Sequence, residues 1–129
     1  MSLNLRSGLH ADLQAGLPDG YALVPDARTI DRVAVRTVQL WAASLDHLPE
    51  APNGHYVVEY TVNVLSKFED PQRAEADLDE ALEDVLTALW GRGSYALDRA
   101  ERTTHINGTV HGWTLTVRSG ITINTTPEA

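Results

Sequence analysis

The segment Gly54 to Trp90 limits the possible folds more than any other part of the chain. From Gly54 the residues alternate cleanly. Tyr56, Val58, Tyr60, Val62 and Val64 point one way, and His55, Val57, Glu59, Thr61 and Asn63 point the other. A period of two in aromatic and β-branched residues predicts a strand half-buried against apolar cover. The period then lengthens. Asp70 is placed to cap a helix with Pro71 at its first position, where the missing N–H costs nothing. Ala74, Leu78, Ala81, Leu82, Val85 and Leu89 form one apolar stripe, with Glu75, Asp79, Glu80, Glu83 and Asp84 facing away. Gly91 is expected to end this helix as a left-handed cap, followed by Arg92 near the negative end of the helix dipole. The helix follows the strand directly and is the natural cover for its apolar face.

The same helix holds most of the chain's charge imbalance. Glu69 to Asp84 contains eight of the 18 acidic residues and a single base, Arg73, a local charge of −7 against −8 for the whole chain. A sequence pI near 4.9 argues against broad electrostatic binding to nucleic acid. With 129 residues, 43% of them hydrophobic and 22% charged, the composition predicts one soluble globular domain. The longest apolar runs fall short of a membrane span, and the N-terminus has neither the apolar core nor the cleavage site of a secretory signal. The absence of cysteine excludes disulfides and thiolate metal sites.

Before Gly54, a first helix is expected from about Leu5 to Leu17, with Leu5, Leu9 and Leu13 on one face and Asn4 or Ser2 as cap. Leu17-Pro18-Asp19-Gly20 ends it in a turn. Tyr21 to Pro25 reads as a short edge strand, given its proline. Arg32 to Ala42 reads as a second strand. Its apolar positions change parity between Val33, Val35 and Val38, Leu40, which implies either burial on both faces or a bulge near Thr37. Ser44 to Asn53 reads as a turn-rich loop.

After the acidic helix, Ser94 to Thr104 alternates weakly through Tyr95, Leu97 and Arg99. Thr109 to Ile123 alternates strongly, with Trp113, Leu115, Val117, Ile121 and Ile123 on one side. Asn107-Gly108 is a two-residue hairpin turn between them. The tail from Asn124 is expected to fray. The order α-β-β-β-α-β-β predicts an α+β fold: one mainly antiparallel sheet, with room for a parallel pair, and two helices packed against it.

Nothing in the chain reads as a catalytic set. The acidic carboxylates lack the ligand spacing of a calcium loop, and the Glu75-Asp79-Glu83 row is mutually repulsive. His105 and His111 bracket the hairpin turn, but a two-residue turn puts His105 opposite Val110 and Thr104 opposite His111. The two histidines then point to opposite faces and make a poor metal pair. None of the serines at 7, 44, 66, 94 and 119 sits in a nucleophile elbow. Gly91-Arg92-Gly93 follows a helix instead of a strand and lacks the rest of a phosphate loop. Arg92, Arg99, Arg102 and Arg118 form a basic cluster around the last hairpin, with Asp98 and Glu101 close enough for local ion pairing. No catalysis, cofactor or metal is expected.

Leu48-Pro49-Glu50-Ala51-Pro52-Asn53-Gly54-His55-Tyr56, the long strand, then Glu69-Asp70-Pro71-Gln72-Arg73-Ala74-Glu75 and Leu78-Asp79-Glu80-Ala81-Leu82, resemble the tail terminator proteins of long-tailed, siphovirus-type phages, particularly those of actinobacteria. The resemblance extends over most of the chain. It implies a small α+β protein that forms a hexameric ring on the end of the tail tube, stops tube polymerisation and offers the surface joining the head connector. It also implies a place in the virion tail, at the head-proximal end, after assembly in the host cytoplasm. A neck or head-completion protein, or a small module binding a ligand or peptide, is the alternative. The expected contact residues are Glu75, Asp79 and Glu83 on the acidic helix and the arginines at 92, 99, 102 and 118. His47, Asn53, His55 and Asn107 join them on the long loop and hairpin tip.

Overall fold

The computed structural model describes residues 5–30, 32–47, 55–91, 95–105 and 109–122. Its elements follow the expected order: α1 (Arg6–Gly16), β1 (Tyr21–Val24), β2 (Arg36–His47), β3 (His55–Leu65), α2 (Pro71–Trp90), β4 (Tyr95–His105) and β5 (Val110–Thr122). The five strands form one sheet in the order β1-β2-β3-β5-β4. Only β1 and β2 run parallel; the other neighbours are antiparallel. The fold is α+β.

Both helices lie on one face of the sheet. Leu9 and Leu13 of α1 and Leu78, Ala81, Val85 and Leu89 of α2 pack on Val38, Leu40, Val62, Val64, Leu115 and Val117. Each of these buried leucines and valines contributes roughly 1.5–3 kcal/mol relative to exposure. Asp70 accepts a hydrogen bond from the Gln72 N–H at 3.3 Å, so the capping read from Asp-Pro holds. Gly20 has φ +101 in the turn before β1, a conformation that glycine adopts without strain.

Several expectations are corrected. Gly91 closes α2 in the right-handed region (φ −76), its N–H bonded to Thr87 O, so no left-handed cap forms there. The position before α1 is Leu5, which makes no side-chain cap; Asn4 and Ser2 lie outside the described residues. Strand β2 starts at Arg36 and continues to His47, taking in Ser44 to His47 from the predicted loop, because ten of its residues pair with β3. The parity change near Thr37 falls outside the strand, because Val33 and Val35 precede it and Val35 is exposed. Within β2 both faces are buried at Thr37 to Leu40, and the bulge sits farther on, between Ala42 and Ser44. A second bulge, between Leu97 and Arg99, breaks the alternation expected in β4, so Ala100 takes the place beside the core and Arg99 turns away from it. In the last hairpin the pairs His105–Val110 and Thr104–His111 are those expected.

Candidate functional site

Helix α2 presents its carboxylates in two directions. Asp77 falls in the same turns as Ala74, Leu78 and Ala81, so it points inward, and its side chain is only 6% exposed. A buried carboxylate is tolerable only if paired and hydrogen-bonded. Arg36, the first residue of β2, donates from Nε to Asp77 Oδ1 at 2.6 Å, and Ser66 Oγ donates to Oδ2 at 2.7 Å. The Arg36 guanidinium also reaches Glu80 at 3.1 Å and donates to Tyr21 Oη at 3.3 Å. Tyr21 in turn donates to Asp84 Oδ2 at 2.6 Å. Glu80 and Asp84 therefore do not simply face solvent, as the helical wheel implies; one arginine ties both into a network joining β1, β2, α2 and Ser66, the residue after β3.

These contacts set the protonation states. Burial, then the hydrogen bond to Asp84, pushes the Tyr21 phenol well above its ordinary value. For Arg36, burial opposes the charge, but hydrogen bonds to Glu80, Asp77 and Tyr21 outweigh it and hold the guanidinium protonated. Tyr95 is raised by burial and by its hydrogen bond to Asp12. The network borders an open cleft of about 670 Å³ that Lys67, Phe68 and Val35 also line. The polar groups at its base already satisfy one another, which leaves few to converge on a ligand. Among the described residues no group of three or more His, Asp or Glu could hold a metal ion.

The expected contact residues are not brought together as one site. Asp79 and Glu83 are exposed on α2, and among the described residues no ion pair involves either. Glu75 is matched within the chain: Arg102 of β4 reaches it at 2.5 Å and stacks over the Trp113 ring at 5.4 Å. The basic cluster divides between the two sheet faces. Arg102 lies on the helix-covered face, while Arg99 and Arg118, in register with Thr116 and Glu59, lie on the helix-free face. There Arg118 pairs with Asp98 at 2.8 Å, and Arg99 pairs with Glu101, the local pairing expected from the sequence. His47 and Tyr56 meet edge to face at 5.5 Å, and His55 begins β3. Arg92, Asn53 and Asn107 lie outside the described residues.

Sequence reasoning passed over Asp77 and Arg36. The signal for Asp77 was present, because a carboxylate at stripe spacing must be buried beside a partner. Arg36 is 41 residues away and carries no such local mark. The helix-free face has a second network that was also missed. Gln39 donates to the backbone carbonyls of Asp26 and Arg28, Asn63 donates to Gln39, and Thr114 donates to Asn63. This row ties the segment after β1 onto the sheet and explains why Gln39 and Asn63 are buried.

No protein-family model matches the sequence. No curated protein matches it either. Among solved structures, the chain is similar to the sheath/tube terminator of an extracellular contractile injection system, PVC, in its extended state, at 12% sequence identity and a TM-score of 0.46. That match covers 100% of this chain and 62% of the other, so the chain spans less than two-thirds of that protein's length.

Proposed function

We propose that this chain is a structural assembly protein of the tail-terminator kind, without catalytic activity. It forms a homo-oligomeric, hexameric ring that caps the tail tube of a long-tailed phage, stops tube polymerisation and offers its other side to the head connector. It then resides at the head-proximal end of the virion tail after assembly in the host cytoplasm. Its partners are copies of itself, the tube protein and a neck protein, with no membrane and no sequence-specific nucleic acid. The family resemblance over residues 48–82 supports this reading. The observation that carries it in the structure is the contrast between two sets of polar groups. Arg36, Asp77 and Glu80 at the base of the cleft are satisfied by one another, whereas Asp79 and Glu83 stand exposed on a long helix with no ion pair among the described residues. Such a molecule is better suited to meeting a protein than to holding a small ligand.

Mass measurement in solution, alone and with tube protein, tests the reading. Ring-sized species on adding tube protein are the expected result. A monomer at every concentration that ignores tube protein would contradict it and favour the binding-module alternative.

A further inference from the structure

Among the described residues β4 pairs with β5 alone, so one edge of an eleven-residue strand is left without a neighbouring strand. Open edges of this length invite pairing with another chain, and charged side chains usually deter it. Here the charges are of mixed sign and ordered. Arg99 and Glu101 lie on the same, helix-free face, either side of Ala100, with side chains 69% and 49% exposed.

We infer that the free edge of β4 pairs antiparallel with β4 of a second copy, on a two-fold axis at Ala100. In this register Arg99 of each copy lies opposite Glu101 of the other, giving two cross-strand pairs of opposite charge. Side-chain alternation restricts the alternatives to slips of two residues, since a slip of one would oppose residues from different faces. A slip of two sets Glu101 against Glu101, or Arg99 against Arg99. The charges therefore permit one register and penalise its neighbours, whereas charges of a single sign would repel a second copy in all of them. The contact is isologous, using one patch twice, so it differs from the head-to-tail contacts of a ring and belongs to the protein off the tube. It goes beyond the proposed function and does not depend on it.

Sedimentation and a single engineered cysteine test the inference on the full chain, which has no cysteine of its own. The expected result is a concentration-dependent dimer that Ala100→Cys cross-links on oxidation, while the exposed control Asp79→Cys does not. Arg99→Glu and Glu101→Arg should each weaken dimerisation by about tenfold or more, since each sets like charges opposite one another twice. The double exchange should restore it. Circular dichroism of each variant separates a lost dimer from a lost fold. Any of three results would overturn the inference: a monomer at all concentrations, a dimer indifferent to both single changes, or cross-linking as efficient at 79 as at 100. Loss of tube capping with the dimer intact would count against the proposed function alone.

Discussion

Asp77 shows how one residue's position decides its role. It belongs to the same acidic run as Asp79, yet two positions along the helix separate a buried anchor from an exposed charge. Removing one partner of a buried pair leaves the other uncompensated, so Asp77→Ala should cost about 3 kcal/mol. Asp79→Ala should stay within about 0.5 kcal/mol. Denaturant midpoints of the two variants check this, and equal losses would refute the distinction. The tyrosines give a second prediction. Burial first, and then Asp84 or Asp12, holds Tyr21, Tyr60 and Tyr95 protonated above the ordinary phenol value of 10.0. A raised folded-state value contributes stability that is complete below pH 10 and is lost as pH rises through it. The melting temperature should therefore fall on the alkaline side of pH 10, and less steeply in Tyr21→Phe and Tyr95→Phe.

Legibility at the scale of elements followed period and length. The β3 and α2 patterns were readable because eleven and twenty residues each keep one period, with most of the apolar residues on one side. The extent of β2 was not, because Ser44 and Asp46 look like loop residues and only pairing with Glu59 and Val57 makes them strand. The bulge at Asp98 was equally hidden, since a skipped residue leaves no mark in composition. The crossing of α1 and α2 is another feature that only packing reveals. A Cβ on Gly16 would lie 2.7 Å from the Ala88 Cβ, closer than two carbons can sit. Gly16→Ala should cost about 1–3 kcal/mol through overpacking, and Ala88→Gly in the same chain should recover part of it. A melting temperature unchanged by Gly16→Ala would show that the helices separate freely. On the outer side of α2, Asp79→Lys with Glu83→Lys should leave stability nearly unchanged and weaken assembly on the tube. Tube binding equal to that of the unaltered chain would remove the acidic row from the interface.

At the scale of the molecule, the element order and fold class were readable, but the strand order was not. Placing β5 between β3 and β4, and β1 parallel beside β2, depends on contacts between residues far apart in sequence. The candidate surface was partly readable. Asp79 and Glu83 stand exposed as expected, while Glu75 is engaged by Arg102 and the arginines divide between two sheet faces. The acidic run is thus two things: an internal tether through Asp77, Glu80 and Asp84, and a short exposed row available to a partner. The most direct measurement of the central claim is tube length by electron microscopy, with tube subunits polymerised in the presence and absence of this chain. The account predicts shorter tubes carrying a ring at one end. Tubes of unchanged length with bare ends, at saturating amounts of folded protein, would contradict it.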